Sequence, residues 1–367
     1  MKFTKIAVVA MCVASLALTG CSKKGAAKSK EVTKDNIKIG FVYIGSINDE
    51  GYTQAHDRGR LAVEKMGYKC AYIENIDDSN TAACESAIRN LIEGEGCNVI
   101  FTTSFGFMDG TANMAKEYPD VIFNHCSSDV HNDSNLGSYF GKIYQARYLA
   151  GIAAGLRTQA NKIGYAAAFA IPECIRGINA FTLGVQSVNP DATVEVVWTS
   201  TWYDPAVEKQ AALELLNKGC DVIEQHQDTT APQIAAQEKG AWCIGYNVPT
   251  PNAAPKAYLT APIFDWTVYY TKAVQSVLDK TWTPTFYWGD MSTGLVGLDN
   301  LSSLCAEGTK EAIDPVQKKI ASGEFDPFMG PLYDQEGTLK VAAGSQMKPE
   351  EIWNMNWFVK GVIGKTN

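Results

Sequence analysis

The sequence predicts an α/β protein built as two parallel-sheet domains, helices on their faces, with a hinged cleft between them. Three observations predict it. Short β-rich runs alternate with helix-like segments almost from end to end, which is the pattern of βαβ units. The alternation restarts near residue 162, so the architecture is expected twice. The length of 367 residues suits two domains of roughly 150 residues each.

Taken in order, the first strand is read at 37–43 (IKIGFVY), where β-branched and aromatic residues crowd a short run. A helix is expected at 52–66, a strand at 69–74, a helix at 81–93 and a strand at 98–103 (NVIFTT). A helix at 109–117 and a strand at 121–125 follow, and 145–160 is an Ala/Gly-rich helix of the kind that packs closely. The second half offers a strand at 162–168, a helix ending at 186, a strand at 193–198 and a helix at 206–218. Strands at 221–225 and 242–246 close the series. Crossovers near Ala160, Ala261 and Asp290 are expected to join the halves. They place 37–160 plus 262–290 in an N-terminal domain and 161–261 plus 291–367 in a C-terminal one. No sequence repeat accompanies this; the duplication is one of architecture.

Composition narrows the class. With 46% hydrophobic and 20% charged residues the chain is globular, which excludes disorder and coiled coil. Only one stretch is continuously apolar and it lies at the N-terminus, which excludes a multi-pass membrane protein. The net charge of −8 is unevenly spread: residues 1–36 carry +5, while the remainder holds 25 basic against 38 acidic side chains. A body so acidic argues against nucleic acid as a partner, because phosphate binding needs basic patches.

The leader is read separately. Lys2 and Lys5 flank the start of an apolar run from Ile6 to Leu18, too short to span a bilayer comfortably and of secretory dimensions. Leu18-Thr19-Gly20-Cys21 resembles the bacterial lipobox, which implies cleavage before Cys21 and a lipid on that cysteine; the alternative is an ordinary signal peptide with an incidental cysteine. Residues 22–36 are small, polar and Lys-rich, a flexible tether whose lysines can also lie against anionic headgroups. Residues 1–20 thus read as signal peptide and 21–36 as anchor and tether, which puts the body on the cell membrane, facing the periplasm or exterior. Eight cysteines remain in that body, none in a CxxC spacing, and they are expected to be mostly free, buried thiols. The four histidines show no ligand spacing with them, so neither a metal nor another cofactor is expected.

In open α/β sheets ligands bind beyond the carboxyl ends of the strands, and here those loops are rich in aromatic and polar residues. Tyr43, Tyr52, Phe105, Trp202 and Tyr246 can sandwich a flat ring, at roughly 1–3 kcal/mol per stacked face. Asp49 and Asp228 can accept from ring or amino N–H groups, while Ser104 and Asn247 can donate or accept. Bland readings stand beside these. Some of the aromatics can simply close the domain interface, Asp49 can cap the following helix, and His56 can be a structural hydrogen-bonder. No arginine lies in these five loops, which argues against an amino-acid ligand held by its carboxylate. No GxSxG elbow, phosphate loop or HExxH helix is present, so nothing compels catalysis.

Beyond the lipobox, five segments carry a family likeness: Gly40 to Tyr43, Asp49 to Asp57, Thr102 to Gly106, Trp202 to Pro205 and Gln225 to Asp228. Together they resemble the basic membrane protein family from about Ile37 to Gly337. That family comprises lipid-anchored solute-binding components of ABC importers with a type I periplasmic-binding fold, similar to purine nucleoside receptors. The segment around Tyr52 and His56 looks most like the branch that binds free adenine. The resemblance implies that Asp49 reads the purine edge, that Tyr52 stacks on the ring and that Trp202 faces it from the second domain. It also implies an ABC permease as partner, and a monomer is expected. Two departures matter: Asn247 stands where the family often has an aspartate, and Phe264 where nucleoside binders carry a lysine. Losing both argues against ribose. Three readings follow: a purine-binding importer component without catalytic role, with a nucleoside receptor as its variant; a ligand sensor for a signalling receptor; and an anchored nucleosidase, which would need an acid/base pair that the sequence does not offer.

Overall fold

Ile39 and Phe41 on one face of the first strand and Val42 on the other are all fully buried, as a sheet covered by helices on both sides requires. The structure is a computed structural model that describes residues 31–366. The expected signal peptide, Cys21 and most of the tether lie outside the described residues.

The first half runs β1 (Lys38–Val42), α1 (Tyr52–Lys65), β2 (Lys69–Ile73), α2 (Thr81–Arg89), β3 (Val99–Thr102), α3 (Met108–Glu117), β4 (Ile122–Cys126), β5 (Leu136–Gly141) and α4 (Tyr144–Arg157). The second runs β6 (Lys162–Ala167), α5 (Pro172–Val188), β7 (Thr193–Trp198), α6 (Pro205–Asn217), β8 (Val222–His226), α7 (Ala231–Glu238) and β9 (Trp242–Cys243). The remainder comprises β10 (Pro262–Phe264), α8 (Trp266–Leu278), β11 (Phe286–Gly289), β12 (Val296–Leu298), α9 (Thr309–Ser322), β13 (Leu332–Tyr333), β14 (Leu339–Val341), α10 (Pro349–Trp353) and β15 (Val362–Ile363).

Two parallel sheets result. One has the order β11-β5-β4-β3-β1-β2 and the other β15-β7-β6-β8-β9. The core orders β2-β1-β3-β4 and β7-β6-β8-β9 are the same, so the duplication expected from the alternation is present strand for strand. In each, the order turns back between the first and third strands (β1 and β3, β6 and β8). That switch point opens a crevice at the carboxyl ends.

The chain passes between the halves three times. It returns to the first sheet after β10, where α8 packs on α1: a Cβ at Gly59 would meet the Tyr270 ring at 2.5 Å. It leaves again after β11, and β10 pairs antiparallel with β12 at this double passage. Helix α4 lies along α5, because Gly151 and Gly155 let its backbone approach that of Phe181 and Val185 with no room for a Cβ. Residues 144–157 therefore pack against α5.

Local departures have local causes. The helix expected to reach residue 93 ends at Arg89 and continues as one π-helical turn, Asn90–Gly94, that keeps Leu91 buried. The strand expected at 242–246 is short because residues 243–247 turn to pair with 257–262: Cys243, Gly245 and Asn247 donate to the carbonyls of Ala257, Thr260 and Pro262.

Candidate ligand-binding site

The residues at these carboxyl ends are set by local chemistry. Asp49 accepts from the N–H groups of Gly51 (2.8 Å), Thr53 (2.7 Å) and Gln54 (3.0 Å), pinning the start of α1 and so the position of Tyr52. The Tyr52 hydroxyl donates to the carbonyl of Thr103, at the end of β3. Ser127, just past β4, holds a left-handed backbone (φ 71°), the sort of conformation that non-glycine residues keep at functional sites. On the other side Pro172 opens α5 with Glu173 in its first turn, where the helix dipole favours a carboxylate. Asp204 caps α6 after the loop carrying Trp202.

A small, tightly lined cavity lies between the two sets of ends. Its lining is Tyr52, Ser104, Phe105 and Ser127 from the first half and Glu173, Trp202, His226, Asp228 and Tyr246 from the second. Phe105 and Trp202 reach the surface, and the other seven are buried. Trp202 packs edge-on against Phe169 at 5.2 Å, and the His226 ring sits over Tyr246 at 4.8 Å. The Ser104 hydroxyl donates to Asp78 (2.5 Å), which leaves its oxygen free to accept. Ser127 donates to Glu173 across the cleft, and Glu173 faces the His226 ring at 3.3 Å.

Burial governs the charges. It pushes the Asp228 carboxyl well above the ordinary range, reinforced by Asp49, Glu208, Asp78 and Glu173. Glu173 goes the other way: burial raises it, but His226, Arg176 and Ser127 together outweigh that and hold it below the usual range. Burial, with Arg147 nearby, drives His226 down to about 4, so it is neutral at pH 7. The lining therefore offers aromatic faces and acceptors, and contains no lysine or arginine.

Of the ten residues that the sequence nominated, Tyr52, Ser104, Phe105, Trp202, Asp228 and Tyr246 meet at this cavity. Four do not line it. Tyr43 is buried in the first core beside Phe41 and Tyr72, its hydroxyl 3.4 Å from Asp57. His56 stacks on Trp266 at 4.4 Å, contacts Tyr270 at 2.5 Å and sits under the Tyr52 ring at 4.5 Å. Asp49 gives both oxygens to α1 as described, the capping alternative. Asn247 sits at a left-handed backbone (φ 68°) and joins the end of β9 to β10 through its own N–H and carbonyl. Sequence reasoning missed Ser127, Glu173 and His226 as lining residues. The signal was there for His226, which ends a strand; Ser127 and Glu173 follow strands whose loops showed no aromatic cluster.

Two parallel-sheet lobes meeting at a small aromatic and acceptor-rich cavity define a solute-binding protein of the type I periplasmic fold. A solved ABC transporter solute-binding protein from Aeropyrum pernix shares that fold, with a TM-score of 0.70 at 18% identity over 79% of this chain and 92% of its own. The family model for PnrA-like ABC transporter substrate-binding proteins, Bmp, matches residues 36–324. The chain belongs to that family. It is 36% identical to a purine-binding protein of Brucella abortus over 93% of this chain and 96% of the relative. It is also 38% identical to a putative ABC transporter glucose-binding protein of Haloferax volcanii, over 90% and 81%. The family is one of extracytoplasmic substrate-binding proteins that deliver a small molecule to an ABC permease, not of enzymes.

Proposed function

We propose that this chain is a lipid-anchored importer component that binds an adenine-like free purine base between its lobes. The observation that carries the reading is the cavity lining: aromatic side chains from both halves, several acceptors, and no cation. A flat, neutral, N–H-bearing heterocycle suits all three features. Tyr52 and Phe105 offer stacking from one side and Trp202 and Tyr246 from the other. Asp228 and Ser104 serve the polar edge, and Asp49 supports it indirectly by holding α1. An anionic ligand would lack a counter-charge in the lining. The purine-binding Brucella relative supports the reading, and the Haloferax relative keeps a sugar in view, since sugars share the need for aromatics and acids.

Calorimetry with adenine, guanine, hypoxanthine, adenosine, inosine, ribose and glucose tests it. Micromolar or tighter adenine binding, lost in Trp202→Ala, is expected. Tight binding of a nucleoside or glucose with no affinity for any free base overturns the reading. Release of ribose from a nucleoside would instead support the nucleosidase. For the anchor, palmitate labelling should mark the wild type and not Cys21→Ala; labelling that survives the substitution rules out that site.

A further inference from the structure

His226 ends β8 with its ring buried in the cavity wall, and only one ring nitrogen has a partner among the described residues. Nε2 lies 3.3 Å from a Glu173 oxygen and 3.3 Å from the Tyr246 hydroxyl. Nδ1 is buried and has none. The other Glu173 oxygen accepts the Ser127 hydroxyl from the opposite lobe, and Glu173 sits in the first turn of α5. The charge state of this carboxyl, held below the usual range as described, makes it an acceptor only. An acceptor-only carboxylate favours the imidazole hydrogen on Nε2, where the Tyr246 hydroxyl can donate or accept; with that tautomer Nδ1 is left as a bare acceptor in a ring that lines the ligand cavity.

We propose that His226 is a specificity-determining residue of the ligand site: its Nδ1, set as an acceptor by Glu173, receives an N–H of the bound base. Glu173 is then a positioning residue. It acts through His226 and is itself oriented by Ser127 only when the two lobes are together, so the acceptor is set as the cleft closes. The inference rests on the purine reading, since a ligand without an N–H cannot use it. A neutral imidazole with one tautomer fixed discriminates donors from acceptors on the ligand edge. A site built to pair a ligand N–H rejects analogues that lack one far better than apolar contact does.

Substitutions at 226 separate this from a packing role. The amide oxygen of an asparagine can stand where Nδ1 stands, whereas a glutamine carries its amide out to the position of Nε2. Adenine affinity is expected to fall roughly 10- to 100-fold in His226→Phe and His226→Gln, and less in His226→Asn. The 15N spectrum of the ring, identified by its absence in His226→Asn, should show hydrogen on Nε2 in the wild type at neutral pH, a preference weakened in Glu173→Leu. Hydrogen on Nδ1, or equal adenine affinity in wild type and His226→Phe, overturns the proposal. Wild-type protein that binds no purine base at all overturns the purine reading and this inference with it, a result distinct from equal binding by the two proteins.

Discussion

Gly51, in the loop between β1 and α1, touches the backbone of Asp228 on the opposite lobe, and a single methyl group there should hold the cleft open. A Cβ at Gly51 would overlap the Asp228 carbonyl oxygen and lie 2.8 Å from its carbon, where ordinary contact begins at 3.4 Å. The two backbones must therefore separate by more than half an ångström at that carbon, and by more at the oxygen. Neither side yields easily. The Gly51 N–H is bonded to Asp49 (2.8 Å), and the Asp228 N–H donates to the Trp202 carbonyl (3.1 Å). Overpacking of this kind costs about 1–3 kcal/mol. It falls on the closed form alone, because an open cleft has no such contact, so it subtracts directly from ligand affinity. At 1.4 kcal/mol per tenfold, Gly51→Ala should bind adenine about 5- to 150-fold more weakly. Calorimetry gives the affinity, and X-ray scattering of the saturated protein should give a larger radius of gyration than wild type. Thermal unfolding without ligand should change little. Wild-type affinity together with wild-type compaction in Gly51→Ala would refute the reasoning.

Three further outcomes are expected. Asp228, pushed up by burial and by four neighbouring carboxyls, binds more protons native than unfolded, so stability falls as pH rises from its unfolded value of about 3.9 towards the raised one. Asp228→Asn lacks that loss, and its melting temperature should decline less than wild type between about pH 5 and pH 8; parallel declines would count against the burial argument. The fully buried Arg147–Glu224 pair should cost about 3–5 kcal/mol when broken by Arg147→Met, measured by urea unfolding, and a loss within experimental error would show the pair to be dispensable. The thiols of Cys84, Cys97, Cys126, Cys174, Cys220 and Cys243 are buried and unpaired among the described residues, with Cys84 and Cys97 pushed up to about 12 by burial. They should resist alkylation in the native protein and react only after denaturation; rapid native labelling would contradict this.

What the sequence made legible follows from what each element buries. β1 and β3 are dense apolar runs because helices cover both faces of their sheet, and such runs announce themselves. β5 is LGSYFG, fully buried yet broken by two glycines and a serine, so its strand character comes from neighbours and not from local propensity. Gly137 and Gly141 sit where a Cβ would crowd Trp282 and Phe264, partners more than a hundred residues away that no local pattern reveals. The first crossover is hard to place from sequence for the same reason. α4 reads as a helix in either domain, and only its glycine face against α5 assigns it. At the site, the aromatics were legible because several rings gathered in strand-end loops are unusual. Glu173 was not, since an acid after a proline reads as any helix start. Its role needs Ser127 and His226, which the fold brings to it from other strands.

The absence of cations from the lining is itself constructed, because two buried arginines stand one layer behind it. Arg147 lies over the Tyr246 ring at 4.0 Å and donates to the Gln225 carbonyl at 3.0 Å while paired with Glu224. Arg176 lies over the Trp353 ring at 4.6 Å and donates to the Trp353 carbonyl at 3.2 Å. Each is committed to a ring face and a carbonyl, so neither is free to swing towards a ligand carboxylate or phosphate. Their charge still reaches the cavity: both help keep His226 neutral, and Arg176 helps hold Glu173 below the usual carboxylate range. Arginine suits this task better than lysine, since its planar fork stacks on a ring and bonds a carbonyl at once. Positive charge is thus used to set the wall's acceptors and withheld from the ligand, which biases the site towards neutral, donor-bearing rings before any direct contact is counted.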